Sequence, residues 1–393
     1  MCLCYCIFGY LIRERGKKMK QKYLLGMYYF FYFQAIGFLI PFLPLHLASR
    51  SFSSDQIGLI LSIGPLVMIF SQPLWGIWTD NYLSPQKTLK ITMLMALITV
   101  WGYYIFNLAI FLIFAAIIFF FFQSPITPIS DSLILANLEK NTSNFGIYRL
   151  WGSIGFAFGV IIMGKILEFF STIWIFSTYG LVLLISLFVA LKIPEKRKNK
   201  NSHLNFSTDI KRLFTDKKII YFLLFGFLVQ TSFGANNSFF SLFFKYLGGN
   251  TGSLGWAWAL AALSEVPIFS TAQKALHKFP HKKLLCFAAL IYGMRWLIHN
   301  LITNPSYLLI ISLTQGLTFG IFYFAAVDFI NTSTPSSIKT TGQTIFGAIC
   351  FGLGPMTGSL MAGLLVNWKG YEFMYTILGI VCILAAVIYY RTE

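Results

Sequence analysis

Five charged residues stand inside otherwise apolar stretches of this sequence: Asp131, Arg149, Glu265, Arg295 and Asp328. A charge among Leu, Ile and Phe is costly unless it faces water or a partner. Asp131 follows Pro125 and Pro128, and Arg149 comes 18 residues after it. That separation lets one apolar segment end, turn through a short loop and return, so the two charges reach similar depth on antiparallel helices. A carboxylate and a guanidinium so placed can form a switchable pair that binds a substrate or gates a cavity. The plainer alternative is a fixed ion pair joining two helices. Glu265 and Arg295 fall near the middles of two consecutive apolar segments. At 1.5 Å per residue they lie within about one turn of the same depth. Burial favours a protonated carboxyl and a nearby guanidinium an ionised one, a competition that a proton-carrying group needs. Asp328 lies near a segment end, and a helix-end role is expected.

Uncharged amides inside apolar segments also seek partners, which singles out Gln34, Asn236, Asn237 and Gln315. Tyr28, Tyr29, Tyr32, Trp151, Phe156, Trp256, Trp258 and Trp296 are candidate cavity-lining aromatics. Gly76-Ile77-Trp78-Thr79-Asp80 closes the second apolar segment, where Asp80 can reach backbone N–H groups at a neighbouring helix N-terminus. A gating role for Gly76 and Asp80 competes with an ordinary cap. HExxH, GxSxG and Walker patterns are absent, and the six cysteines show no metal-ligand or disulfide spacing. No enzyme activity, cofactor or metal is expected.

The elements that position these residues follow from composition. Of 393 residues, 57% are hydrophobic and only 11% charged, with 42 Phe, and the mean hydropathy is +0.70. A soluble domain carries roughly 25% charged residues, so the bilayer must be the solvent. A span needs about 20 apolar residues. Twelve such segments can be read: 24–48, 57–79, 89–107, 109–136, 148–168, 172–192, 218–244, 253–275, 284–303, 306–330, 340–364 and 372–390. The break between the third and fourth rests on Asn107 alone.

The net charge of +17 is not a nucleic-acid signal, because it is sorted by topology. With the N-terminus in the cytosol, the inner segments hold Lys87 and Lys90, then Lys140, the basic run from Lys192 to Lys218, Lys274 to Lys283, Lys339 and Arg391. The outer ones hold Arg50, Lys165, Lys245 and Lys369. This alternation predicts both termini in the cytoplasm of a cell membrane. Residues 1–23 form an N-terminal tail, of which 1–18 read as a mis-called start or a disordered stretch. The polar stretch 193–217 divides two six-helix bundles, 24–192 and 218–390. Gly152, Gly155 and Gly159 in span 5 and Gly347, Gly354 and Gly358 in span 11 are the best trace of an internal repeat. Their spacings keep them on one helix face.

Several runs resemble a known family. Phe30-Phe31-Tyr32-Phe33 through Gly37, Pro41 and Pro44 is similar to the first span of the lactose permease branch. Ser54-Asp55-Gln56-Ile57-Gly58 and Gln72-Pro73-Leu74-Trp75-Gly76 with Asp80 resemble its second span and the inner-loop signature of the major facilitator superfamily. Tyr148-Arg149-Leu150-Trp151-Gly152-Ser153-Ile154-Gly155 and Gln315-Gly316-Leu317-Thr318-Phe319-Gly320 look like the phenylpropionate permease branch. Asp131 with Arg149, and Glu265 with Arg295, match that family's charged pairs. The resemblance implies an all-α major facilitator fold of twelve membrane helices and proton symport of a small organic solute by alternating access. Gln315 and Thr318 replace the histidine and glutamate of lactose permease, and Phe156 its galactose-stacking tryptophan, so galactoside specificity does not carry over. Expected partners are the solute, protons and lipid, with the chain a monomer. Two other readings remain: a proton-antiport exporter of amphipathic compounds, and a non-transporting membrane sensor or scaffold.

Overall fold

A computed structural model describes residues 22–137, 145–193, 216–334 and 339–392, excepting the side chains of 136–137, 145–147, 270, 272–277 and 339–340. The N-terminal tail up to residue 21, Lys140 and most of the central polar stretch lie outside the described residues. All described elements are helical, and they sit where the apolar segments fall. In chain order they are α1 (Lys22–Ser49), α2 (Ser54–Asn81), α3 (Pro85–Ile105), α4 (Ala109–Gln123 and Ile126–Asn137), α5 (Phe145–Phe169) and α6 (Trp174–Ala190). There follow α7 (Lys217–Tyr246), α8 (Thr251–Lys278), α9 (His281–His299), α10 (Ser306–Ser333), α11 (339–369) and α12 (371–391). Among the described residues, 8 helical stretches are long and apolar enough to cross a bilayer. The last of these, Thr341–Arg391, is divided at Gly370, whose φ of 86° is open to glycine at little cost. It therefore supplies both α11 and α12.

Local sequence explains the breaks. Pro41 marks the turn at 40–42 within α1, where an imino nitrogen cannot continue the helical ladder. Asn107 ends α3 by accepting a hydrogen bond from the Arg50 guanidinium, which also donates to the Tyr104 carbonyl at 2.8 Å. In α4, Pro125 and Pro128 cannot donate to the carbonyls of Phe121 and Ser124 four residues back. Helix α2 fills both vacancies. Ser71 Oγ and Trp75 Nε1 donate to the Phe121 carbonyl at 2.6 and 3.0 Å, and Gln72 Nε2 donates to the Ser124 carbonyl at 3.0 Å. In a bilayer no water would do this, so the Ser71–Trp75 run fixes the bend that precedes Asp131.

The internal repeat is a repeat of contacts. A Cβ at Gly155 would meet the Phe30 carbonyl oxygen, and one at Gly159 the Gln34 carbonyl, while Gly37 faces the Phe156 carbonyl. In the second set, Gly354 faces Gln230 and the Phe227 carbonyl, Gly358 the Thr231 carbonyl, and Gly234 faces Pro355. Each α1 residue thus has its equivalent 197 positions later in α7, and each α5 residue 199 positions later in α11. Glycine permits this backbone-to-backbone approach. Gly347 is not part of the pattern, since nothing lies within 4 Å of its Cβ position.

The two sets of helices meet along α2–α11 and α5–α8. At one end the backbones touch: a Cβ at Gly58 would meet the Ser359 carbonyl oxygen, one at Gly363 the Ser54 carbonyl, one at Gly255 the Val160 carbonyl and one at Gly164 the Thr251 carbonyl. Ser241 Oγ also donates to the Pro41 carbonyl at 2.5 Å. Further along α2–α11, Ile69 packs on Gly352. Beyond that, Gly76 and Gly347 each face open space. The interface is a wedge, closed at one end and splayed at the other.

Candidate functional site

Helix α1 presents Tyr28, Tyr29 and Tyr32 on one face, and α4 answers with Thr127, Ser130 and Asp131. Tyr28 bonds Ser130, Tyr29 donates its hydroxyl to Asp131, and Tyr32 meets Thr127 at 2.8 Å. Gln123 extends the network, donating to Tyr32 at 3.5 Å and accepting from the buried Tyr179 at 2.6 Å. The carboxylate of Asp131 therefore sits at the edge of a fixed polar ladder, with 31% of its side chain exposed. Arg149 approaches it at 3.9 Å with 44% exposure and lies 5.9 Å from the centre of the Phe33 ring. This is a loose ion pair that leaves the guanidinium open to another group.

Tyr29→Phe removes a charge-assisted hydrogen bond worth about 1.5–3 kcal/mol. The expected result is a lower unfolding temperature in detergent and a slower transport rate, with the protein still folded. An unchanged melt would mean that Arg149 alone holds the carboxylate.

Register explains what Arg149 faces. Gly164 lies against Thr251, and Val160 against Gly255, so one step along α5 is one step back along α8. Arg149 is 11 residues before Val160, and Glu265 is 10 after Gly255. The two charges therefore share a depth across the interface, and they interact electrostatically. Tyr323 of α10 also lies in the field of Arg149.

Within the C-terminal set, Glu265 and Arg295 make no direct ion pair among the described residues; Gln315 joins them. The Arg295 guanidinium donates to Gln315 Oε1 at 2.6 Å and to Thr318 Oγ1 at 3.4 Å, and the Gln315 side chain hydrogen-bonds Glu265. Arg295 is 4% exposed and lies 5.0 Å from the Trp296 ring centre, with its Nε unpartnered. His299 donates through Nδ1 to the Arg295 carbonyl at 2.6 Å and stacks on Tyr375, which donates to Asn236 at 3.0 Å.

The remaining sequence candidates separate by place. Gln34 is buried with its Oε1 unpartnered. Phe156 is partly buried against the core, its carbonyl facing Gly37. Asn236 belongs to the Tyr375–His299 group, one step removed from the charges. Asp80 and Gly76 stand at the splayed end of α2, where Asp80 is exposed and has no partner among the described residues. Asp328 bonds His281 Nε2 at 2.6 Å, tying the start of α9 to α10. Sequence reasoning missed the prolines' α2 partners and the α4 side of the tyrosine ladder. The Pro-x-x-Pro spacing at 125–128 was the available signal.

Charged groups from two helix sets, meeting between them inside an apolar bundle, define a multi-pass membrane transport protein rather than an enzyme. The chain belongs to the MFS_1 like family, whose profile matches residues 23–377, and it is a transporter of the major facilitator superfamily. It is 29% identical over 371 residues to the maltose permease of Geobacillus stearothermophilus, covering 93% of this chain and 94% of that protein. It is 23% identical over 351 residues to the probable 3-phenylpropionic acid transporter of Escherichia coli, covering 88% and 92%. The fold is similar to the crystal structure of nucleoside transporter NupG, with TM-score 0.85, 16% identity and coverage of 95% of this chain and 100% of that one.

Proposed function

We propose that this chain is a proton-coupled symporter that moves a small organic solute into the cell by alternating access. In this reading all twelve helices cross the membrane, in bundles 24–192 and 218–390, with both termini in the cytoplasm. The splayed end of the wedge faces the cytoplasm, and one chain works alone. The observation that carries the proposal is Glu265: it lies between Arg149 of the other helix set and, through Gln315, Arg295 of its own. A carboxyl with one guanidinium on each side of a closing interface gains and loses charge stabilisation as the interface opens and shuts. Asp131 sets the position of Arg149 when solute is absent. Arg149, Arg295, Gln315, Gln34 and Asn236 supply donors and acceptors to the solute, Phe156 an apolar wall, and Gly76 and Asp80 the cytoplasmic gate.

The relatives handle a disaccharide, an aromatic acid or a nucleoside by their names, which sets the panel. Proteoliposomes loaded with a pH dye and challenged with each class should show proton influx with one of them. Solute equilibration without proton movement would make the chain a uniporter. Silence in both, with resistance to a toxic amphipathic compound on overexpression, would make it an exporter.

A further inference from the structure

Away from the site between the helix sets, an open groove carries two exposed cations at its edge. The start of α7 and the end of α12 form an open, mostly apolar groove of about 520 Å³ lined by Lys217, Tyr221, Ile388, Arg391 and Thr392. Lys217 and Arg391 are exposed, and neither side chain makes an ion pair or hydrogen bond with another described residue. A third cation stands at the rim. Lys282 of α9 donates to the Thr392 carbonyl and lies 5.8 Å from the Tyr389 ring centre. Among the described residues the nearby acid is Asp216, which caps α7 by accepting from the Lys218 N–H at 2.8 Å. Below the cations the walls become apolar: Tyr221 is 43% and Ile388 61% exposed. The α12 C-terminus has a partial negative charge that suits one nearby cation, and Lys282 already serves its last carbonyl. Lys217 and Arg391 are left over.

We propose that this groove binds the phosphate of an anionic phospholipid headgroup, with Lys217 and Arg391 on the phosphate oxygens and an acyl chain along Tyr221 and Ile388. Two unpaired cations above an apolar wall match the two parts of such a lipid, and basic pockets between membrane helices are suited to these headgroups. The occupant bridges α7 to α12. Because α7 emerges directly from the basic central stretch, the lipid pins that end of the C-terminal set to the leaflet surface. The inference needs only the membrane placement, not the coupling scheme.

The test uses the purified full chain in nanodiscs of phosphatidylcholine, with or without phosphatidylglycerol, and native mass spectrometry to count retained lipid. Retention of one phosphatidylglycerol in preference to phosphatidylcholine is expected. Each basic residue near the surface contributes about fivefold in affinity, so K217Q/R391Q should lose roughly 25-fold. R391E is the second variant, and an unchanged thermal melt for both keeps folding out of the result. Equal retention of the two lipids, or equal retention by wild type and variants, overturns the proposal. Inorganic phosphate displacing the bound lipid at equal concentration would assign the groove to a soluble phosphate and overturn it as well.

Discussion

Glu265→Gln is expected to abolish uphill accumulation of solute while leaving downhill equilibration in place. Gln keeps the size of the side chain and its ability to hydrogen-bond Gln315, so binding geometry survives. It cannot ionise, so the interface closes and opens with no proton on board. One proton moving down a one-unit pH gradient supports about tenfold accumulation, since each 1.4 kcal/mol is tenfold in an equilibrium. In proteoliposomes with an imposed pH gradient, labelled solute should reach that ratio with the wild type and only equal concentrations with the variant. Accumulation at the wild-type level would move the proton to Asp131, the carboxyl that pairs with Arg149. Loss of equilibration too would mean that Glu265 holds solute rather than a proton.

The second large effect concerns the closed end. A Cβ at Gly255 would meet the Val160 carbonyl oxygen, and one at Gly58 the Ser359 carbonyl. These obstacles are backbone atoms, which cannot swing aside as a flexible side chain can. Overpacking costs about 1–3 kcal/mol or more, here charged only to the state in which this end is shut. Gly255→Val should therefore shift the equilibrium toward opening at that end by about 5–150-fold, and Gly58→Val with Gly255→Val should stall transport. Spin labels at residues 49 and 301, on the two helix sets, should report a longer distance. Gly347→Val is the control, because nothing lies within 4 Å of its Cβ position and the closed end should keep its distance. Unchanged distance and rate in the double variant would refute the wedge as the state-determining contact.

How much of this was legible in the sequence depends on the range of the interaction. Charges in apolar stretches announced Asp131, Arg149, Glu265 and Arg295, because the cost of burying them is local. Composition gave the helices, and Asn107 marked a real break, although its partner Arg50 lies 57 residues away. Gly155, Gly159, Gly354 and Gly358 could be picked out by spacing. Gly347 could not be told from them, since only the facing helix decides whether a glycine is a contact. The pairing of Glu265 with Arg295 by depth was too coarse. Depth along two helices says nothing of rotation about their axes, and rotation put Gln315 between the charges. The hydrogen bonds from α2 to the carbonyls freed by Pro125 and Pro128 were invisible, because a proline announces the vacancy without naming what fills it.

The repeated packing hides one asymmetry. Among the described residues, π-helical turns occur at Gly316–Gly320 in α10 and Gly347–Leu353 in α11, and the corresponding helices α4 and α5 have none. A π turn is one surplus residue wound into the ladder, the helical counterpart of a dislocation in a crystal. Such a defect can glide. Hydrogen bonds are handed over one at a time, and the segment beyond it rotates without the whole ladder breaking. A regular α-helix must instead bend as a unit or break. The two halves thus share an architecture and differ in how these helices are interrupted: α10 and α11 each carry a surplus residue wound into the ladder, whereas α4 is broken outright at its prolines.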